Sequence, residues 1–407
     1  MAHEKDILES SAGGPTMRDI GAAGGADGRG TVPDIGAAGG ADGRGTVPDI
    51  GAAGGADGRG TVPDIGTAVV GYGYWGPNLV RNIAECPGLA LRALCDPDPA
   101  RLALFAQRHP EARAASALDE LLADPDIEAI VLATPPQTHA ALARTALEAG
   151  RHVLVEKPLA TCLRDAHELA AVARDVERLL MPGHTFVYSP AVNAVRELIR
   201  GGVVGDVHFI TSARMNLGKY HANGVLCDLA PHDLSILLHW LGQPVVEVAA
   251  SGSSVLVVGV PETAFLTLTF AGGQTANVQI SWLAPRKVRQ MIVVGSQRMV
   301  VYDDTASDEP VRIYDRGMDV LPPQPANFGE HQLIYRTGDV VIPRVEPQEP
   351  LRLELEDFAH SIRTGEEPRS NLALGLEIVA VVEVAQASLR EGGTPLALAP
   401  LADRAAA

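Results

Sequence analysis

Cysteine is scarce in this chain of 407 residues: Cys86, Cys95, Cys162 and Cys227 stand far apart. No pair has zinc-ligand spacing, and a chain this long needs no disulfide staples. Four reduced thiols and no metal site are the expectation. Long apolar runs are also missing. None approaches the roughly 20 residues that span a bilayer, and the stretch Met1–Ser11 lacks the apolar core of a signal peptide. These absences argue against a membrane partner and make the cytoplasm the default location. Positive charge is the third shortage. The chain has 33 Lys and Arg against 50 Asp and Glu, a net charge of -17. A phosphate backbone needs a basic surface, so nucleic acid is excluded as an expected partner.

What is present describes a globular protein of about two domains, 46% hydrophobic and 20% charged. It opens on an internal repeat. The segment DIGAAGGADGRGTVP from Asp19 to Pro33 recurs unchanged from Asp34 to Pro48 and from Asp49 to Pro63. Its only sizeable apolar residues are Ile and Val, too few to offset the entropy of ordering, so residues 1–63 are expected to be disordered. From Thr67 short apolar runs alternate with helical stretches: strands near 68–70, 89–95, 127–133, 152–156 and 179–184, with helices between them. That alternation predicts an α/β Rossmann domain with a parallel sheet over residues 64–186. Beyond Phe186, long alternating strands and separate helices, one of them Asp228–Trp240, predict an α+β domain with a mostly antiparallel open sheet over 187–407.

Gly71-Tyr-Gly73-Tyr74-Trp75-Gly76 fits G-x-G-x-x-G. It follows a strand and opens a helix, and Asp96 lies twenty residues beyond Gly76 at the end of the second strand. In that context the glycines serve a tight turn, close approach to a pyrophosphate and helix–strand packing. The helix N-terminus adds a positive dipole end. Asp96 is expected to bind the adenosine ribose and repel a 2′-phosphate, which favours NAD. Arg101, nearby, keeps NADP open.

Three runs then match a known family: Val70 through Asn82 (VGYGYWGPNLVRN), Ala133-Thr-Pro-Pro-Gln-Thr-His139, and Glu156-Lys-Pro158. Together they resemble the Gfo/Idh/MocA oxidoreductases over about Thr67 to Leu396. Gly183-His-Thr-Phe186, Asn216-Leu-Gly218 and Asp228-Leu-Ala-Pro-His-Asp233 resemble the branch containing nucleotide-sugar 3-dehydrogenases. That branch often has Trp where Cys227 stands and Asn where Gly224 stands. The resemblance implies that Lys157 reaches nicotinamide and substrate, that Thr134, Pro135, His139 and Glu156 line the cofactor cleft, and that the protein forms homo-dimers or homo-tetramers through the second domain's sheet.

Alcohol oxidation needs a hydride acceptor, a base and a group to hold the oxygen. Asp228 and His232 share a helix face at i and i+4. His232 is read as the acid/base, titrating near neutral pH, Asp228 as its orienter, and Lys157 as the electrophilic donor; Lys157 and His232 could exchange roles. Asp233 reads as a capping or solvent-facing residue. His184, Arg214, Asn216 and Lys219 are candidate substrate contacts. The basic run Arg286-Lys-Val-Arg289 is either a solvated strand edge or a substrate-phosphate contact. The function that follows is NAD-dependent oxidation or reduction of a secondary alcohol on a sugar or nucleotide sugar, at C3 in the second case. An inositol-type dehydrogenase, an NAD-retaining glycosidase and a non-catalytic dinucleotide sensor are the alternatives.

Overall fold

A computed structural model describes residues 63–218, 220, 223–320 and 333–399. The repeats, apart from Pro63, and the candidate residue Lys219 lie outside the described residues.

The first half runs β1 (Ile65–Val70), α1 (Gly76–Glu85), β2 (Leu89–Cys95), α2 (Pro99–Arg108), β3 (Arg113–Ala115), α3 (Leu118–Leu122), β4 (Ala129–Leu132), α4 (Pro136–Glu148), β5 (His152–Glu156), α5 (Leu163–Asp175) and β6 (Leu180–Gly183). The six strands form one sheet in the order β3-β2-β1-β4-β5-β6, and every pairing is parallel. All of β1, β4 and β6 is buried, which accounts for their mostly apolar sequences. Helix starts follow local chemistry: Pro99 opens α2, and the Asp98 carboxylate accepts from Ala100 N at 2.9 Å.

The second half begins with a 3-10 turn, Thr185–Tyr188, then α6 (Pro190–Arg200), β7 (Val207–Leu217), α7 (Gly224–Leu241), β8 (Val245–Ser253), β9 (Thr263–Phe270), β10 (Thr275–Ser281), β11 (Leu283–Gly295), β12 (Met299–Asp303), β13 (Val311–Tyr314), β14 (Gly317–Val320), β15 (Leu333–Arg336), β16 (Val340–Val341), α8 (Pro350–Thr364), α9 (Leu372–Arg390) and β17 (Leu396–Ala397). Nine strands make a sheet ordered β16-β13-β12-β11-β7-β10-β9-β8-β17. It is antiparallel except for β7 beside β10. The fold class is therefore the one expected. β8 is hard to read from the sequence: VVEVAASGS puts valine on both faces and ends in small residues, so its period of two is hidden. α7 starts four residues before Asp228, where Gly224 takes φ +74°.

The last helices do not stay with the second sheet. Leu351, Leu355 and Phe358 of α8 pack in one core with Val69, Leu79 and Leu94 of the first half. Leu376 and Val379 of α9 join the core around β4 and β5, while Ile378 and Val381 join that of the second sheet. α9 is long and apolar enough to cross a membrane, and 56% of its apolar window is buried inside this fold. Its apolarity serves two cores at once.

Candidate active site

The glycine-rich turn joins β1 to α1 at the carboxyl ends of the strands, where the strand order diverges from β1 and an open α/β sheet forms its crevice. Gly71 has φ +100°, and a Cβ there would stand 2.5 Å from the Ala133 carbonyl oxygen. At Gly76 a Cβ would stand 2.3 Å from the Gly71 carbonyl oxygen. Neither position admits a side chain. At Gly73 a Cβ would meet nothing within 4 Å, and no side chain caps the first turn of α1. Open space over bare backbone at the positive end of a helix fits a pyrophosphate.

The residues around the turn divide. Asp96 is 2% exposed, and its carboxylate accepts from Tyr72 N at 2.7 Å, Asp98 N at 2.9 Å and Arg101 Nη1 at 3.3 Å. It pins the turn from beneath instead of standing open to a ribose, and half-exposed Arg101 covers it. His139 is also buried. Its Nδ1 lies 2.8 Å from the Pro158 carbonyl and its Nε2 2.9 Å from that of Thr134, so it braces the cleft wall from behind. Thr134 accepts from Thr138 Oγ1 at 2.8 Å, and Pro135 and Tyr74 are exposed. Trp75 reaches across the cleft and donates from Nε1 to Glu156 Oε1 at 2.5 Å. Burial pushes the Glu156 carboxyl up to about 7, against the opposing pull of Lys157. Glu354, on α8, is driven well above the ordinary 4.5 by burial and by the charge of Glu156. It accepts from Thr185 Oγ1 at 2.8 Å, and its Oε1 has no partner. Nothing in the local sequence pairs these two carboxyls.

Lys157 follows β5. Its Nζ donates to the Asp228 carbonyl at 2.9 Å and to Asp228 Oδ1 at 3.0 Å. Asp228 Oδ2 accepts from Trp282 Nε1 at 3.1 Å. No hydrogen bond joins Asp228 to His232, although they share a helix. The carboxylate holds Lys157, which corrects its expected role as orienter of His232.

His232 lies edge-on to Phe186, with ring centroids 5.2 Å apart. Burial first, then the charges of Lys157, Arg214 and Arg289, hold its pKa well below 6.5. The imidazole is neutral at pH 7, and the expectation that it titrates near neutrality is corrected. His184 is its neighbour. The β5–β6 register sets Glu156 opposite Gly183, so Lys157 and His184 emerge side by side. His184 is 3% exposed, and neither ring nitrogen has a partner. Burial and Lys157 push its pKa down to about 3. Orphaned nitrogens in a cleft wall are what a ligand or water satisfies.

Arg214 is tied to Asp233, with its Nη1 left unpartnered. It is buried, its guanidinium bonds Asp233 at 3.0 and 3.1 Å, and its Cζ sits 4.5 Å over the Phe186 ring. Burial disfavours the cation, but Asp233 more than offsets this and holds the charge. Asp233 is likewise buried, not solvent-facing. Asn216 lies two residues along β7 from Arg214 on the same face, partly exposed. In the basic run, Arg286 and Lys287 are exposed while Arg289 bonds Asp304 at 2.9 Å.

Two family models match this chain: the Gfo/Idh/MocA oxidoreductase family with its NAD-binding Rossmann fold over residues 65–184, and the Gfo/Idh/MocA C-terminal domain over residues 192–301. A UDP-N-acetylglucosamine 3-dehydrogenase of Acidithiobacillus ferrooxidans is 27% identical over 78% of this chain and 97% of its own. A solved structure from Magnetospirillum magnetotacticum MS-1, described as an oxidoreductase, is 30% identical and covers 79% of this chain and 99% of that one, with a TM-score of 0.66. GenD2 from gentamicin A biosynthesis, solved in complex with NAD, is 26% identical over 85% of this chain and 100% of that one, with a TM-score of 0.70. The chain thus belongs to the Gfo/Idh/MocA family of oxidoreductases, and its first half is an NAD-binding Rossmann domain.

Proposed function

We propose that the protein oxidises or reduces a secondary alcohol on a sugar or nucleotide-sugar ring, with the C3 hydroxyl as the reacting group. One observation carries this reading: the Lys157 ammonium, held twice by Asp228 at the end of β5, stands beside neutral His232 in the cleft that opens on the glycine turn. NAD, when bound along Gly71, Gly73 and Gly76, supplies the hydride acceptor. The protein's own part is proton and charge handling. Neutral His232 accepts the hydroxyl proton, and Lys157 donates a hydrogen bond to the oxygen as it becomes a carbonyl. Asp228 fixes the lysine. His184, with two unpartnered nitrogens, has hydrogen bonds to give a substrate hydroxyl.

Two carboxylates, Asp96 and Asp98, lie 3.3 and 3.4 Å from the same Arg101 guanidinium, which leaves the ribose edge net negative and supports NAD over NADP. Exposed Phe209, Leu217 and Phe265 share the outer face of the nine-stranded sheet and support a homo-oligomer formed there. The test of function is a panel of sugars, nucleotide sugars and cyclitols with NAD and NADP, followed by reduced-nicotinamide absorbance. A nucleotide sugar bearing a free C3 hydroxyl should give the fastest turnover. A cyclitol as best substrate moves the reading to an inositol-type enzyme, and no turnover of any alcohol overturns it.

A further inference from the structure

In the sequence Trp282 reads only as the end of a strand. In the structure it follows β10, is 2% exposed, and is tied at both backbone ends: its N–H donates to the Glu262 carbonyl at 2.9 Å, and its carbonyl accepts from Gly218 N at 3.2 Å. The indole has Gly218 and Tyr220 packed against it. A Cβ on Gly218 would come within 2.3 Å of its Cδ1, and the Tyr220 ring centroid is 5.5 Å away. Tyr220 is anchored in turn, donating from its hydroxyl to Glu262 Oε1 at 2.6 Å, and the Glu262 carboxylate also collects the backbone N–H groups of Val255, Leu256 and Val257. The edge of the indole carries Nε1, which donates to Asp228 Oδ2, and the other oxygen of that carboxylate holds Lys157.

We propose that Trp282 is a positioning residue that sets Lys157 through Asp228 and couples Gly218 and Tyr220, on the substrate side, to the catalytic lysine. This rests on the alcohol oxidoreductase reading above. Asp228 reaches Lys157 with only one carboxylate oxygen, so its carboxylate plane is fixed by whatever holds the other. That holder is the indole N–H, on a ring that Gly218 and Tyr220 pack against. A substrate that shifts these two residues therefore moves the indole and, with it, the plane in which Lys157 is held. A buried tryptophan N–H needs a partner in any case, so the test must separate positioning from packing.

Trp282→Phe keeps an aromatic ring and removes the donor. The chain has four lysines, Lys5, Lys157, Lys219 and Lys287, so Cε-labelled lysine gives four NMR signals, and the one absent from Lys157→Arg assigns Lys157. The groups facing it are Asp228 and Cys227 from α7, His232 one turn on, His184 after β6, and Glu156 and His139 from the cleft wall. Of these, Asp228 is the one to which the indole N–H donates. In Trp282→Phe the Asp228 carboxylate loses a donor and leans more on the ammonium. The Lys157 signal should then move, those of Lys5 and Lys287 should stay, and kcat should fall about tenfold with the Kd for NAD unchanged. Gly218→Ala, whose new methyl displaces the indole, should give the same pattern, smaller, and stands in if Trp282→Phe does not fold. An unmoved Lys157 signal in a folded variant overturns the proposal, whatever the turnover. Absence of turnover in the unsubstituted protein instead overturns the oxidoreductase reading and leaves the NMR result to test the wiring by itself.

Discussion

The two halves of this molecule build their parts of the site in opposite ways. In the first, three glycines within six residues shape one turn, and the acid that pins it lies 24 residues from the backbone N–H it accepts. In the second, the carboxylate that holds Lys157 is 71 residues away from it, and the indole that holds the carboxylate is a further 54 along the chain. A cofactor site made of backbone needs a local run of permissive residues. A proton-handling site made of side chains needs only that the fold deliver them, and leaves no run to read.

Breaking the delivered part should therefore cost the chemistry and spare the cofactor. His232→Ala and Lys157→Ala should each lower turnover by roughly 100- to 10,000-fold, with the NAD Kd, read by calorimetry, within twofold of the unsubstituted value. Loss of NAD binding in either would mean that the two halves are not separable in this way.

The next effect is on stability. Arg214 and Asp233 are each 2% exposed and paired. Asp233→Ala leaves a buried cation unpaired and should cost about 3–5 kcal/mol in urea unfolding. A cost below about 1 kcal/mol, the range of an exposed pair, would make Arg214 available to substrate after all.

A smaller effect tests the seam between the halves. Glu354, held above its ordinary value by burial, contributes most stability at low pH and loses it as pH climbs above 4.5. Glu354→Gln, which still accepts from Thr185, should match the unsubstituted protein near pH 4.5 and become the more stable of the two as pH rises towards 8. Equal stabilities at both pH values would mean the carboxyl is not strained. The smallest effect belongs to the glycine-turn side. Arg101→Ala removes a cation from the ribose edge and should widen the preference for NAD by about tenfold; a narrowed preference would mean that Arg101 itself favours NAD.

Much of the fold was legible because its cause is local. Buried parallel strands write apolar runs, Pro99 and Asp98 mark a helix start, and Gly71 and Gly76 are required by carbonyls a few ångströms away. Where cause is remote, the sequence misled. The i, i+4 spacing of Asp228 and His232 suggested a pair, but an acid bonds the donors nearest its oxygens, and those are Lys157 and Trp282. Asp233 looked like a surface cap because nothing nearby in sequence says that Arg214 is buried beside it. His232 was assigned a near-neutral pKa because what depresses it, burial first and then cations from the residue after β5, from β7 and from β11, is delivered by the fold. The end of the chain reads as part of the second domain; α8 and part of α9 also pack into the first half's cores, through contacts far apart in sequence.

The most direct test of the central claim, that Asp228 acts through Lys157, is a double-mutant cycle on turnover. Asp228→Asn, Lys157→Ala and the double variant are compared with one sugar substrate at saturating NAD. If the carboxylate works by holding the lysine, the double variant should be no more than about twofold slower than Lys157→Ala alone. If the two losses multiply, Asp228 acts on something other than Lys157, and the claim is wrong.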